Sequence, residues 1–399
     1  MQLLWIGCLE SEEEFKNKVK KGYGLASAQV SQQNLVTGIE NCLGQGFDSI
    51  NGSVLPPYPV YADKIINEVV WQHRPDNYDV SVGYKNQKYV NRMTCKNAMI
   101  KAADKWFEER YKGEEVILFV YSMRSAPMAT ACYLKKKIQK CEAYLIVTDL
   151  PQFMDLGQSK LKAGLKKIDW INIKKMQNQF DGFILYASKM AKYLNIPNGK
   201  WILMEGSFDP QNDTYPCIKN KRSKAIMYSG KLDMQYGIKL LLDAFMEIKD
   251  PEAELWLTGS GNAEKLIKEC AKRDSRIKFF GFFPSREEVK KKQQEAAALI
   301  NMRLPSENAS NFCFPSKLFE YMATGIPVLS FKLGGIPEEY YPYLCLIEKE
   351  CITGVKNAIE AALKPGNKIG SSAREFIMSN KTLDKQCRRI VQWMQIRKN

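Results

Sequence analysis

The most informative part of the sequence is Asn311-Phe-Cys-Phe-Pro-Ser-Lys-Leu-Phe-Glu-Tyr-Met-Ala-Thr-Gly-Ile-Pro-Val-Leu-Ser330. Pro315 suits the first turn of a helix, where a missing N–H loses no partner, and Gly325 suits the residue just beyond a helix. We therefore predict a short helix between them, followed at once by a buried strand. Free N–H groups at the start of such a helix attract phosphate oxygens. Glu320 lies about one turn into this helix, where its carboxylate could accept hydrogen bonds from two adjacent sugar hydroxyls.

Two glycine-containing turns precede this stretch. Tyr228-Ser-Gly-Lys-Leu232 follows a predicted strand; Gly230 would let the backbone approach a ligand closely, and Lys231 could meet a phosphate. Leu257-Thr-Gly-Ser-Gly261 also follows a predicted strand, although a Gly-x-Gly turn alone is weak evidence for a ligand.

Short apolar runs alternate with helix-length amphipathic segments along all 399 residues. This alternation predicts α/β construction with parallel sheets, and the length favours two domains. We expect two Rossmann-like domains of similar size, connected by the Pro- and Asn-containing segment 195–223. The predicted strands are 3–8, 80–83, 116–121, 144–148, 182–186, 225–229, 254–258, 277–280, 297–302 and 327–330.

The composition excludes several kinds of chemistry. His73 is the single histidine, so a His-rich metal centre and an HExxH metalloprotease are excluded. The eleven cysteines form no CxxC pair, which argues against a zinc site or a disulfide framework and indicates reduced cytosolic thiols. The N-terminus does not resemble a signal peptide, and no apolar run approaches the ~20 residues that span a bilayer. We expect a cytoplasmic protein, soluble or peripheral on the inner face of the cell membrane.

The formal net charge is +15, and one segment is richer in lysine than the rest. Aliphatic residues and Trp170 interleave there with Lys160, Lys162, Lys166, Lys167, Lys174 and Lys175. A basic helix of this kind, Lys160–Lys175, can lie on an anionic membrane surface. The alternative is an ordinary solvated helix face. Nucleic acid is not an expected partner, because no basic-aromatic motif of a known binding module is present.

In their order and spacing, the stretch 311–330 and the two glycine-containing turns that precede it resemble the C-terminal half of family 4 glycosyltransferases. That family has the GT-B fold, an α/β fold of two Rossmann-like domains whose parallel sheets face a central cleft. The resemblance is strong over about 225–335, and its form is similar to the branch that builds bacterial surface polysaccharides. In the first half it is fainter and rests on Val147-Thr-Asp-Leu-Pro151 and Gln33-Asn34-Leu35. The matching motifs are Gly230-Lys231-Leu232, Gly259-Ser260-Gly261, Phe280-Gly281-Phe282-Phe283, and Phe314-Pro-Ser-Lys-Leu-Phe-Glu320 closing in Gly325-Ile-Pro-Val328.

The resemblance implies an acceptor-binding domain at 1–200, a nucleotide-sugar domain at 201–382, and a helix at 383–399 that crosses back to the first domain. It implies a transferase without metal or cofactor that moves a hexose, with retention, from a nucleoside-diphosphate sugar such as a UDP-sugar. The acceptor would be a glycan or a polyprenyl-linked glycan. The alternative is a non-catalytic nucleotide-sugar-binding or scaffolding partner of a glycan-assembly complex.

The resemblance also assigns site residues. Glu320 would bind the donor ribose, and Lys231 would bind the diphosphate. Main-chain groups near Phe282 and Phe283 would hold the base. The remaining donor-binding residues implied are Gly230, Gly259, Phe314, Ser316 and Lys317.

The chain departs from the family pattern at three positions. The first Glu of the Glu-x7-Glu motif is replaced by Phe312, and a phosphate-binding Lys is replaced by Tyr236. The usual histidine of the first domain has no counterpart, since His73 lies elsewhere and is expected to be structural. Asp149, at the end of a predicted strand, is the acidic candidate for catalysis, although it could instead cap the following helix. Arg303 could supply the missing phosphate charge.

Overall fold

In a computed structural model of the chain, the described residues are 1–23, 26–153, 160–211, 215, 224–283, 285–364 and 366–398, without the side chains of 26, 27, 153, 160–166 and 398. The chain divides into two compact units. The first comprises Met1–Tyr186, Met190–Met204 and Cys387–Asn399, and the second comprises Ala187–Lys189 and Glu205–Gln386.

Strands and helices alternate in both units. The strands are β1 (Gln2–Gly7), β2 (Phe47–Asn51), β3 (Ile65–Ile66), β4 (Val69–Trp71), β5 (Asp79–Ser81), β6 (Tyr84–Lys85), β7 (Val116–Tyr121), β8 (Cys141–Val147), β9 (Gly182–Leu185), β10 (Trp201–Leu203), β11 (Lys224–Ser229), β12 (Ala253–Thr258), β13 (Ile277–Phe279), β14 (Ala298–Asn301), β15 (Val328–Phe331) and β16 (Cys345–Ile347). The helices are α1 (Glu12–Lys20), α2 (Ala26–Leu43), α3 (Asn91–Arg110), α4 (Ser125–Lys137), α5 (Lys160–Gln177), α6 (Lys189–Leu194), α7 (Ile238–Met246), α8 (Glu264–Arg273), α9 (Arg286–Glu295), α10 (Lys317–Ala323), α11 (Ile352–Ala362), α12 (Ile369–Asn380) and α13 (Leu383–Lys398).

The sheet of the first unit has the strand order β10-β9-β8-β7-β1-β2-β5-β4, and its neighbours pair in parallel except for β4 with β5. Every residue of the central strand β7, Val-Ile-Leu-Phe-Val-Tyr, is buried. A continuous apolar run of this kind is typical of a parallel strand covered on both faces. The strand order reverses beside β1, so the crevice between the carboxyl ends of β1 and β7 is where such a sheet binds ligands.

The sheet of the second unit is parallel throughout, with the order β13-β12-β11-β14-β15-β16. Helix α7 lays the apolar residues Ile238, Leu241, Leu242 and Phe245 against its core, as their spacing predicts. Here the order reverses between β11 and β14. The carboxyl ends of these two strands therefore mark the second ligand-binding edge.

The ten predicted strands are confirmed with ends shifted by at most a few residues, but others were not predicted. The strand β2 was missed because polar residues interrupt its apolar pattern. In the structure these residues have partners: Asp48 accepts from Arg110 at 3.0 Å, and Asn51 donates to Ser49 at 2.8 Å. The strand β10 lies inside the segment 195–223 that was expected to be only a connection. Residues 212–214 and 216–223 of that segment lie outside the described residues.

A buried charge network joins the two places where the chain enters and leaves the second unit. Lys381 Nζ lies 2.5 Å from Glu205 Oε1 and 2.7 Å from Glu339 Oε1. The Tyr340 hydroxyl donates to Glu205 at 2.8 Å, and Gln386 Nε2 donates to Glu205 Oε2 at 3.3 Å. The side chains of Lys381 and Glu205 are 4% and 0% exposed, so each charge depends on these partners instead of water.

Main-chain hydrogen bonds close the same junction. Phe208 N donates to Lys381 O at 3.0 Å, and Leu383 N donates to Phe208 O at 2.9 Å. The incoming and outgoing segments thus run side by side in parallel where they cross the boundary of the second unit.

The basic segment Lys160–Lys175 forms most of α5, although the side chains of Lys160, Lys162 and Lys166 lie outside the described residues. Lys167 and Lys175 are exposed, together with Ile168 and Ile171. Lys174 is different: it donates to Leu194 O at 2.8 Å, and burial lowers its pKa. Lys174 therefore differs from Lys167 and Lys175, because its ammonium group is bonded within the fold. No described helix combines the length and the apolar character needed to cross a bilayer.

Candidate functional site

Three glycine loops stack at the carboxyl edge of the second sheet. They contain Gly230 after β11, Gly259 after β12 and Gly281 after β13. Gly230 N donates to Thr258 O at 3.0 Å, and Gly259 N donates to Gly281 O at 2.8 Å. At Gly259 the φ is +132°, and a Cβ atom would come within 1.7 Å of Gly230 O. Only glycine fits there, so the sequence of this turn is fixed by close backbone packing.

Lys231 stands on the first of these loops and is largely exposed. Its Nζ lies 2.6 Å from Asp233 Oδ2, and this hydrogen bond raises the pKa of Lys231 and lowers the pKa of Asp233. Asp233 also accepts from Asn262 N at 3.1 Å. The lysine is thus held in its charged form at the loop surface. The sequence analysis did not single out Asp233, although it lies only two residues beyond Lys231, the residue predicted to bind the diphosphate.

Lys317 of α10 reaches this loop, and Glu320 of the same helix lies beside Lys317. A Cβ atom on Gly230 would lie 2.8 Å from Lys317 Cε, so the absence of a side chain at Gly230 makes room for the lysine. Lys317 Nζ lies 3.9 Å from Glu320 Oε2, and Arg286 of α9 donates to Glu320 Oε1 at 3.1 Å. The structure therefore brings Lys231, Lys317 and Glu320 to one edge and adds Arg286, which the sequence did not single out.

The helix α10 begins at Lys317, two residues after the predicted start at Pro315, and Leu318 N donates to Pro315 O at 2.8 Å in the preceding turn. With only seven residues it has a small dipole, so the nearby cationic side chains contribute more to phosphate binding. Ser316 is exposed and makes no capping hydrogen bond.

Phe314 does not offer its side chain to a ligand. It is 4% exposed and packs against Phe319 and Tyr340, with ring centroids 4.9 and 5.2 Å apart. The side chain of Phe314 is therefore turned into the core, so donor binding at this position stays a prediction for its main chain alone. An aromatic residue beside a glycine-rich edge looks the same in sequence whether its side chain packs inward or faces a ligand.

The two phenylalanines of the predicted base-binding segment differ. Phe282 is 74% exposed, whereas Phe283 stacks on Phe280 with centroids 6.0 Å apart. Trp256 packs edge-on against Phe280, and Lys292 Nζ lies 3.7 Å from the centroid of Trp256. This aromatic group fixes the segment and leaves the main chain around Phe282 at the surface.

Arg303 lies close to the position where the family pattern has a lysine. Its guanidinium stands over the ring of Tyr236, 5.7 Å from the centroid. Glycine at position 237 allows the segment containing Tyr236 to pack against the chain just beyond β14, because a Cβ atom on Gly237 would lie 2.7 Å from Met302 O. Arg303, just beyond the end of β14, thus places a positive charge beside Tyr236.

A polar pair stands beside Phe312, the position of the missing first glutamate. Lys189 Nζ donates to Asn311 Oδ1 at 2.8 Å, and Gly334 leaves room for both side chains. Lys189 was missed because it lies 122 residues from Asn311 in the sequence. The second unit therefore carries an ammonium group that is bonded to the residue preceding Phe312.

Asp149 follows β8 at the carboxyl edge of the first sheet and is partly exposed. Its negative charge adds to burial in raising the pKa of Tyr186, which reaches about 12. The Tyr186 hydroxyl lies 3.1 Å from Ser31 Oγ. Near Asp149 this edge therefore presents neutral hydroxyl groups.

His73 lies between two carboxylates of the first unit. Its Nδ1 lies 2.6 Å from Asp79 and its Nε2 lies 3.1 Å from Glu40. Burial opposes the charged ring, but these hydrogen bonds dominate and raise the pKa of His73 to about 9. A cation held in this way is a structural element, as expected. Among the described residues, no group of three or more His, Cys, Asp or Glu side chains could hold a metal ion.

Comparisons with known proteins agree with this architecture. Residues 223–364 match the family model described as glycosyl transferases group 1. Sucrose-phosphate synthase from Thermosynechococcus elongatus has a similar structure, with a TM-score of 0.68, 15% identity and 99% of each chain covered. The lipopolysaccharide outer core galactosyltransferase WaaB, in its apo form, has a TM-score of 0.68, 14% identity and 100% of each chain covered. None of the curated proteins matches the sequence significantly.

A third similar structure is HepE from Anabaena in complex with UDP and glucose. Its TM-score is 0.64 at 13% identity, with 99% of this chain and 100% of that chain covered. The chain has the two Rossmann-like domains with parallel sheets of the GT-B fold. Together with the match over residues 223–364, this fold supports a glycosyltransferase of the GT-B type.

Proposed function

We propose that this protein is a metal-independent, retaining hexosyltransferase of the family 4 type that uses a nucleoside-diphosphate sugar. The observation that carries the proposal is the edge at Gly230 and Gly259, where close-packed backbone meets Lys231, Lys317 and Glu320. In this proposal the acceptor is a glycan or polyprenyl-linked glycan of surface polysaccharide synthesis. The UDP and glucose bound by HepE make a UDP-sugar the first donor to test.

The charges at this edge suit a diphosphate. The cations Lys231, Arg286, Arg303 and Lys317 outnumber the carboxylates Asp233 and Glu320. Positive side chains held in place before the reaction stabilise the charge that develops on a departing diphosphate. In this proposal Lys231 and Arg303 neutralise that charge, and Glu320 receives hydrogen bonds from the ribose hydroxyls.

The transfer breaks the bond between the anomeric carbon and the diphosphate oxygen. The acceptor hydroxyl oxygen forms the new bond on the same face of the sugar, and its proton passes to the departing diphosphate. Both the charge and the proton are then accounted for without a metal ion or a histidine. Asp149 remains the acidic candidate of the first unit.

Membrane association through α5 is part of the proposal. The exposed residues Lys167, Ile168, Ile171 and Lys175 give this helix a face with both apolar and basic character, which suits an anionic bilayer. Charge reversal at Lys167 and Lys175 should weaken binding to vesicles containing phosphatidylglycerol, whereas reversal at the partnered Lys174 reports only on folding. Unchanged vesicle binding in the Lys167 and Lys175 variant would exclude this surface.

The test of the proposed activity is a panel of UDP-, GDP- and TDP-sugars, with thermal stabilisation and donor hydrolysis as the two readouts. At least one donor should stabilise the protein and be hydrolysed. Glu320→Gln should weaken nucleotide binding by about tenfold or more, because a hydrogen bond to a charged group contributes about 1.5–3 kcal/mol. Glu375→Gln, at an exposed position of α12, is the matched control.

The replacements at Phe312 and Tyr236 favour the second candidate, a non-catalytic nucleotide-sugar-binding partner of a glycan-assembly complex. Binding without hydrolysis or transfer, even with polyprenyl-linked acceptors, would support that candidate. If no nucleotide bound at all, both candidates would be wrong.

A further inference from the structure

A cavity of about 840 Å³ lies in the first unit, between α1 and the segment that leaves β2. Its walls include Asn17, Lys21, Tyr58, Tyr61, Lys64 and Asn67. The volume is within the range of roughly 300–1,000 Å³ that small-molecule sites occupy. None of these residues belongs to the edge at Gly230 and Gly259 of the second unit, where the donor is proposed to bind.

The cavity lies at the carboxyl edge of the first sheet. Ser81, the last residue of β5, donates to Glu14 of α1 at 2.9 Å, and Lys18 of α1 donates to Ser53, just beyond β2, at 2.8 Å. Both contacts hold α1 over the ends of parallel strands. Since open α/β sheets bind ligands beyond the carboxyl ends of their strands, the cavity occupies a position suited to a substrate.

Two lysines of the cavity wall, Lys18 and Lys21, already have carboxylate partners. Lys18 Nζ lies 2.5 Å from Glu10 Oε1, with both side chains largely buried, and Lys21 Nζ lies 2.8 Å from Asp63 Oδ2. Lys64 instead stands over the ring of Tyr58, 4.8 Å from its centroid. A strongly anionic ligand would have to compete with Glu10 for Lys18 and with Asp63 for Lys21. The balance of charge therefore favours a neutral ligand.

Two tyrosines give the cavity aromatic surface beside its hydrogen-bonding groups. Tyr58 is 37% exposed, whereas Tyr61 is buried and is held edge-on by Tyr23, with centroids 5.2 Å apart. An aromatic face packs against the C–H face of a sugar ring, while amides such as Asn17 and Asn67 hydrogen-bond to hydroxyl groups. This combination suits a ligand that is apolar on one face and rich in hydroxyls around its edge.

We propose that this cavity binds a neutral oligosaccharide of two or three residues, as part of the acceptor glycan. The inference rests on the proposed glycosyltransferase function and specifies the class of acceptor. Tyr58 packs against one sugar ring, and Asn67 binds its hydroxyl groups. Both are binding residues with no part in the chemical step.

The test uses the full-length protein and an array of neutral and acidic oligosaccharides, followed by titration of the best neutral trisaccharide. Tyr58→Ala should weaken that affinity about fivefold to tenfold, and Asn67→Ala should weaken it severalfold. Tyr89→Ala is the matched control, because Tyr89 is also exposed and also lies under a lysine, with Lys88 Nζ 5.1 Å from its centroid. The melting temperature of each variant shows whether it folds.

Nucleotide binding measured on the same proteins separates the two proposals. Tyr58→Ala should bind the donor nucleotide as the wild type does. If the wild type binds nucleotide but Tyr58→Ala and Asn67→Ala leave glycan affinity unchanged, the cavity is not the acceptor site. Binding of acidic oligosaccharides alone, or of no oligosaccharide, would also overturn this inference. Absence of nucleotide binding would count against the proposed function.

Discussion

Among the places in the second unit where lysine and glutamate come together, the chain junction and the carboxyl edge of the sheet differ in how fully the charges are paired. At the chain junction, Lys381 contacts two carboxylates, and both Lys381 and Glu205 are almost fully buried. At the carboxyl edge of the second sheet, Lys317 and Glu320 are 3.9 Å apart, and their side chains are 43% and 31% exposed. The same pair of residue types is thus used in two physical settings.

The difference separates charges that hold the fold from charges that are available to a ligand. A buried charge must keep its partner, because water cannot replace it. An exposed pair contributes about 0–1 kcal/mol to stability. Each of its members can therefore leave its partner and bind a ligand with little loss of stability. Substitutions in the two regions should therefore change different measurements.

The largest effect is expected at the junction. Lys381→Met leaves the carboxylate of Glu205 buried without its cation, which should reduce the free energy of unfolding by about 3–5 kcal/mol. Urea unfolding measures this change, and Lys368→Met, at an exposed position, is the control. A loss below about 1 kcal/mol would mean that the buried network does not stabilise the fold as the comparison requires.

His73 extends the comparison to a buried cation of the first unit. Because its folded-state pKa is raised from 6.5 to about 9, its stabilisation is complete below pH 6.5 and is lost as the pH rises through 9. The wild type should lose about 2–3 kcal/mol through this group over that interval. His73→Gln should lack this component in unfolding measurements at each pH. Parallel pH profiles of the two proteins would contradict the assignment.

Lys231 should show the opposite behaviour to Lys381. Lys231→Met removes an ion pair whose lysine is exposed, and Asp233 keeps its hydrogen bond from Asn262 N, so the free energy of unfolding should change by less than about 1 kcal/mol. The affinity for the nucleoside diphosphate should fall about tenfold, because a hydrogen bond to a charged phosphate is lost. Isothermal titration measures the affinity. The control is Lys268→Met, because Lys268 is also exposed and also has a carboxylate partner, Glu264. Equal effects of the two variants on affinity would remove Lys231 from the donor site.

The smallest effect is expected at Phe282. Its side chain is 74% exposed, and the main chain of this segment is proposed to hold the base. Phe282→Ser should therefore leave the melting temperature unchanged and alter nucleotide affinity by less than about threefold. A loss of tenfold or more, with pyrophosphate binding unaffected, would show that the side chain itself stacks on the base.

The sequence predicted those parts of the fold and site that depend on local pattern. Strand β7 is apolar throughout, and Gly230, Gly259 and Lys231 lie in turns that follow predicted strands. The two-domain α/β architecture follows from the same alternation. These features could be predicted because each one is specified within a few consecutive residues.

Other features depend on contacts between distant parts of the chain. Arg286 reaches Glu320 across 34 residues, and Lys189 reaches Asn311 across 122. The burial of Phe314 depends on Tyr340, which is remote from the binding loop in sequence. No local pattern indicates such pairings. The charge partners at the carboxyl edge of the second sheet and the direction of the Phe314 side chain could therefore be identified only from the structure.

The parallel backbone pairing of Phe208 with Lys381–Leu383 makes the second unit resemble an insertion in the first. The chain departs at Glu205 and returns after Gln386, and both ends of the inserted segment are bonded to each other. A segment with adjacent ends can be gained, exchanged or permuted as one piece without moving the ends of its host. Residues 205–386 thus form one continuous segment with paired ends, and this segment carries Lys231, Lys317 and Glu320 together.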